Sequence, residues 1–185
     1  MKLYHGSPVA GIETLKPSLS NHGEPYVYLT HIETLAVIYA YNPLTPPDGY
    51  FPYYVNREDG SLHYDEYFPG AFDEIFTGKS GYVYTCEIDR ELERLDKMTW
   101  VHLSPEPVKV SKCRFIPDLR AELLDAERKG LLTIHRYETL SERKREGIKN
   151  MILREFEAEG GLEKPDSESV RFYRKYFSYI DELFG

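Results

Sequence analysis

The rhythm of hydrophobic and polar positions changes near residue 118. Before it, apolar and aromatic residues come in short runs bounded by turn residues, which predicts strands. Leu3-Tyr4-His5 is such a run and stops at Gly6. Tyr26-Val27-Tyr28-Leu29-Thr30 follows the turn signal Gly23-Glu24-Pro25, and Tyr82-Val83-Tyr84-Thr85-Cys86 follows Gly78-Lys79-Ser80-Gly81. Val108-Lys109-Val110-Ser111-Lys112 begins as an alternating strand and closes near Pro117. Ile32, Leu35, Ala36 and Tyr39 are spaced as one face of a helix, which predicts a single helix among these strands.

After residue 118 the period lengthens to that of helices. Leu119, Leu123 and Leu124 form one short face that ends at Gly130. Ser141 is placed to cap a second helix, whose Ile148, Met151, Ile152 and Phe156 recur at helical spacing before Gly160-Gly161. From about Ser167, Val170, Tyr173, Phe177, Ile180 and Phe184 form a stripe, read as the buried face of a terminal helix. Between the strand segments, residues 41–70 hold six tyrosines and five prolines, too aromatic for a solvated linker. A stretch of this composition is expected to be functional or packed down over the domain.

Composition narrows the class. Sixteen Tyr, nine Phe and one Trp argue against a disordered chain, because aromatic rings are large units of burial. The net charge of −8 argues against nucleic acid as the main partner. No apolar run is long enough for a membrane span, the first residues contain no long apolar signal segment, and two cysteines are too few for a disulfide scaffold. The cytoplasm is therefore the expected compartment. The six histidines show no metal-ligand spacing with Cys86 and Cys113, so no metal is expected.

The sharpest local feature is Leu3-Tyr4-His5-Gly6-Ser7. A His-Gly pair at the end of a strand sets an imidazole beside a position without a Cβ, where a flat ligand could approach the backbone. Tyr28 ends a second strand, and Tyr39 follows eleven residues later on the helix. If strand and helix pack, the two rings can sandwich a planar cation or heteroaromatic ring.

These residues, with Ala36, resemble the opening of mono- and poly-ADP-ribosyltransferases of the His…Tyr…Glu type. That branch includes poly-ADP-ribose polymerase catalytic domains, diphtheria-type toxins and rifampin ADP-ribosyltransferases. The resemblance is specific over residues 3–41, looser over 81–118 and absent from 119–185. It implies an α+β fold with an ADP-ribosyltransferase-like split two-sheet β core. Residues 1–118 would be the NAD-binding domain, and residues 119–185 a helical C-terminal extension packed on it. His5 would hydrogen-bond the adenosine-side ribose of NAD, and Gly6 would hold the nicotinamide carboxamide through its backbone. Tyr28 and Tyr39 would sandwich the nicotinamide ring, with Ser7 or Thr30 as candidate hydroxyls.

The third element is a carboxylate before the last core strand. Glu106, in Ser104-Pro105-Glu106-Pro107-Val108, is favoured as the catalytic residue over Asp96. Two departures are visible: Ala36 stands where the polymerases carry a serine, and Pro107 follows the glutamate directly. RNA 2′-phosphotransferases share the implied fold, but they need a basic clamp, and residues 1–78 offer only Lys2, Lys16 and Arg57. The implied activity is NAD-dependent mono-ADP-ribosyl transfer to a protein or small molecule, or NAD glycohydrolysis. The alternative is a catalytically inactive interaction module of the same fold.

Overall fold

The computed structural model describes residues 1–19, 24–41, 52–95 and 98–184. In chain order, β1 (Lys2–Ser7), β2 (Thr14–Leu15), β3 (Ser18–Leu19) and β4 (Pro25–Thr30) precede helix α1 (Glu33–Ile38). Next come β5 (Tyr53–Val55), β6 (Leu62–Asp65), α2 (Ala71–Phe76), β7 (Gly81–Glu87), β8 (Glu93–Leu95) and β9 (Met98–Ser104). Then β10 (Val108–Lys109), β11 (Lys112–Ile116), α3 (Leu119–Arg128) and β12 (Thr133–His135) lead to α4 (Glu142–Ala158), α5 (Glu168–Tyr176) and α6 (Tyr179–Phe184). The chain is mixed α+β, and none of its described helices is long and apolar enough to cross a membrane.

Two units divide the chain, one of Met1–Asn42 with Phe76–Leu131 and one of Pro43–Ile75 with Leu132–Gly185. This division differs from a boundary at residue 118. Residues 119–131 belong with the strand-rich unit, because α3 buries Leu119 and Leu123 and packs on α1. Residues 52–75 belong with the C-terminal helices, because β12 pairs in parallel with β6. Such pairings join segments about 70 residues apart, and local periodicity carries no trace of them.

The first unit is built on a sheet of order β11-β7-β1-β4-β9-β8, with β3 also paired to β4 and a separate β10-β2 pair. Its strands are not joined equally. Six residues of β1 pair with β7, whereas β1 meets β4 only at Tyr4↔Thr30, so these two neighbouring strands of the sheet part beyond that pair. Alternation places Leu3 and His5 on one face and Tyr4 and Gly6 on the other. Leu3 joins Leu15, Val27, Leu29, Cys86, Ile88, Leu92 and Val108 in an aliphatic core. On the other face lies α1, and it lies very close. A Cβ on Gly6 would stand 1.9 Å from the Ala36 carbonyl oxygen, and one on Gly81 would stand 1.9 Å from the Ala40 carbonyl oxygen. Gly6 and Gly81 on neighbouring strands thus let the helix backbone rest against the sheet.

The second unit contains the three-stranded sheet β12-β6-β5 and the helices α4, α5 and α6. Ser141 and Ser167 cap α4 and α5 by accepting the N–H groups of Lys144 and Val170. Ile148, Ile152, Phe156, Val170, Tyr173, Phe177 and Ile180 are buried in one cluster, so the C-terminal stripe is core. It spans two helices, not one, because the chain leaves helical geometry at Phe177 (φ −126°, ψ 79°). The buried Glu66 carboxylate accepts the backbone N–H groups of Phe72 (3.0 Å) and Tyr137 (3.1 Å), tying α2 to the segment after β12.

The tyrosine-rich stretch is partly sheet. Residues 42–51 lie outside the described residues, but β5 and β6 follow, and Tyr64 is buried with its ring edge-on to Phe72. The segment Val108–Lys112 is two short strands instead of one. β10 pairs with β2 and β11 with β7, and the chain steps between them where the Ser111 N–H and hydroxyl both donate to the Thr85 carbonyl.

Candidate functional site

The site forms where the main sheet parts. With a single residue pair between β1 and β4, the His5 side chain is free to bridge the two strands. Its Nδ1 lies 2.9 Å from the Tyr28 carbonyl oxygen. A carbonyl can only accept, so Nδ1 carries the proton, and the neutral ring presents Nε2 as an acceptor. Burial holds the His5 pKa below its ordinary value despite the opposing effect of that hydrogen bond, so the ring is neutral near pH 7. The result is an oriented hydrogen-bond acceptor in a partly desolvated setting.

A cavity of about 310 Å³ adjoins it. His5, Tyr26, Val27 and Tyr28 contribute from β1 and β4, and Ile12, Thr14, Leu15, Lys16 and Ser18 from the segment running through β2 and β3. Tyr26 stands edge-on to Tyr28, with ring centroids 6.4 Å apart. The volume lies at the lower end of the range of small-molecule sites, roughly 300–1,000 Å³.

The remaining candidate residues fall around this cavity without lining it. Ser7 and Thr30 are buried, and their hydroxyls accept the backbone N–H groups of Val9 (3.2 Å) and Ile32 (3.1 Å), two residues on. Thr30 thereby shapes the turn from β4 into α1. The missing Cβ of Gly6 makes room for α1 and not for a flat ligand, since the backbone of Ala36, Tyr39 and Ala40 fills that side. Tyr39 is the C-terminal cap residue of α1, with 47% of its surface exposed. The register Tyr4↔Thr30 puts Tyr28 on the sheet face that α1 covers, so Tyr28, Gly6 and Tyr39 share one side of the sheet.

Glu106 sits in the turn between β9 and β10. Ser104, fully buried, organises that turn: its hydroxyl donates to the Glu106 carbonyl (2.8 Å) and accepts the Glu106 N–H (3.3 Å). The Glu106 carboxylate is exposed and pairs with Arg90 at 3.2 Å, while Arg90 also donates to the Ser104 hydroxyl at 3.0 Å. The two ends of the turn reach the cavity wall. Ser104 is the cross-strand partner of Val27, and Val108 that of Leu15, and both partners line the cavity. Asp96, the competing carboxylate, lies outside the described residues.

Sequence reading missed Lys16, Ser18, Tyr26 and the Ile12–Leu15 wall. The segment 8–19 shows no strand-length run, because β2 and β3 are two residues each and form only by pairing with β10 and β4. No group of three or more His, Cys, Asp or Glu side chains that could hold a metal ion occurs among the described residues. No family model, curated protein or solved structure matches the chain.

Proposed function

We propose that the chain binds NAD at the His5–Tyr28 cavity and cleaves its nicotinamide–ribose bond. ADP-ribose would pass to a protein or small-molecule acceptor, or to water. The fold we assign with it is that of an ADP-ribosyltransferase. One observation carries the reading: the His5–Tyr28 bridge, the cavity and both ends of the Glu106 turn converge where the sheet parts.

In this reading the neutral His5 Nε2 accepts a hydroxyl of the adenosine-side ribose. Tyr28 and Tyr39, on one side of the sheet, flank the nicotinamide. The C1′–N bond breaks with its electron pair returning to the pyridinium nitrogen, which releases neutral nicotinamide. The oxocarbenium-like ribose is stabilised by the Glu106 carboxylate. An acceptor hydroxyl, amine or water then bonds to C1′ and loses its proton.

The test is nicotinamide release from NAD by the purified chain. Wild type is expected to turn over, and Glu106→Gln to lose about 10²–10³ in rate, the usual loss on removing one electrostatic stabiliser of a transition state. Unchanged release by Glu106→Gln would remove the catalytic assignment. A second reading, an interaction module of the same fold without turnover, is favoured by one feature. The Glu106 carboxylate is solvent-facing and engaged by Arg90. NAD binding with no nicotinamide release would select that reading.

A further inference from the structure

We infer that Lys16 is the phosphate-binding residue of this cavity, so that the site selects a ligand carrying a pyrophosphate; this rests on the NAD reading above. The inference starts from charge. The chain carries a net −8, yet among the described residues lining the cavity there is no Asp or Glu. Lys16 is the only fixed cation there, and no carboxylate pairs with it among the described residues. With His5 neutral, Lys16 sets the sign of the site.

A second cavity of the same unit makes the contrast. It is about 300 Å³ and is lined by Glu33, Glu122 and Asp125 together with Arg114 and Lys129. There both cations are already committed, Arg114 to Glu33 and Glu122, Lys129 to Asp125. An anion entering it would have to displace a carboxylate. An anion entering the first cavity meets a lysine without such a competitor among the described residues.

The position of Lys16 is built. Lys16-Pro17 joins β2 to β3, and the flanking strands are each pinned to a different partner. Leu15 pairs with Val108 of β10, and Ser18 pairs with Tyr26 of β4. The proline restricts the backbone between them. Thr14 and Ser18 place hydroxyl-bearing side chains on either side of the lysine along the same wall. An ammonium beside hydroxyl donors suits phosphate oxygens, with Lys acting as a point charge.

The experiment is calorimetric titration of the full chain with ADP-ribose and, separately, with nicotinamide. Wild type, Lys16→Arg, Lys16→Ala and Lys16→Glu are compared after their melting curves are shown to coincide. Lys16→Ala is expected to weaken ADP-ribose about tenfold, equivalent to about 1.4 kcal/mol, and Lys16→Glu to weaken it further. Lys16→Arg should keep most of the affinity, and nicotinamide, which carries no phosphate, should bind all four alike. ADP-ribose binding that is equal in wild type and Lys16→Glu would overturn the inference and leave the NAD reading standing. Wild type that binds neither ADP-ribose nor nicotinamide would overturn the NAD reading, and the inference with it.

Discussion

The two units solve the same burial problem with different side chains. The first packs aliphatic residues, Leu3, Leu15, Val27, Leu29, Ile88, Leu92 and Val108, under a sheet that parts between β1 and β4. The second fills its interior with rings: Phe68, Phe156, Phe172, Tyr173 and Phe177, with Tyr176 stacked on Phe68 at 4.3 Å between centroids. One polar group of the first unit differs from those of the second. In the second unit Asp65 is paired with Lys144, and Glu66 accepts two backbone N–H groups and pairs with Arg136, so both act as braces. In the first, His5 holds one strand with Nδ1 and keeps Nε2 for something else. The candidate cavity and its chemistry lie with the parted sheet.

The contrast can be broken most severely in the second unit. Phe156 is fully buried, and Phe156→Ala should cost about 3–5 kcal/mol in urea unfolding, the range for aromatic truncation in a close-packed core. A loss below 1 kcal/mol would mean that the ring cluster is not what holds this unit. In the first unit the critical contact is between backbones. Gly6→Ala sets a methyl against the Ala36 carbonyl and should cost about 1–3 kcal/mol or more through overpacking. Wild-type stability in Gly6→Ala would show that α1 does not rest on β1.

Acid should weaken the protein in a defined direction. His5, His31 and His102 in the first unit and His135 in the second are all held below the ordinary histidine value, chiefly by burial. The unfolded chain therefore takes up protons at a higher pH than the native chain does. Stability is full above pH of about 6.5, the ordinary histidine pKa, and falls as pH drops below it. His102 is the clearest contributor, since its Nδ1 is buried without a hydrogen-bond partner among the described residues. Thermal melts between pH 7.5 and 5 at constant ionic strength, where both pH values are chosen to span about 6.5, should show Tm decreasing. A flat or rising Tm would contradict the assignment of neutral native histidines.

The smallest effect runs the other way. Gly147 lies in the middle of α4 on an exposed face, with nothing within 4 Å of an added Cβ. Gly147→Ala should therefore stabilise by about 0.5–1 kcal/mol, through helix propensity alone. Comparing it with Gly6→Ala separates a glycine that the fold needs from one that it merely tolerates.

Much of the fold is legible wherever the deciding interactions are local. The strands around Tyr4, Tyr28 and Tyr84, the helix after Thr30, the Ser141 cap and the turn at Gly130 follow from alternation, capping chemistry and breaker residues. The His-Gly pair and Tyr28 were equally visible as candidate chemistry. The role of Gly6 was not, because a glycine at a strand end reads the same whether a ligand or a helix approaches it. Lys16 was visible only as one of three cations before residue 79, since nothing in residues 8–19 announces a cavity wall.

By itself, then, the sequence determined the strands around Tyr4, Tyr28 and Tyr84, the helix after Thr30, the apolar C-terminal stripe and the His5, Tyr28 and Glu106 candidates. These depend on residue identity and on spacings of a few positions. Only the tertiary structure decided that 43–75 joins 132–185, that the sheet parts between β1 and β4, and that Lys16 faces a cavity free of carboxylates among its described residues. Each of those outcomes is a pairing between segments far apart in the chain. Its energy comes from matching two surfaces, and neither segment carries that information alone.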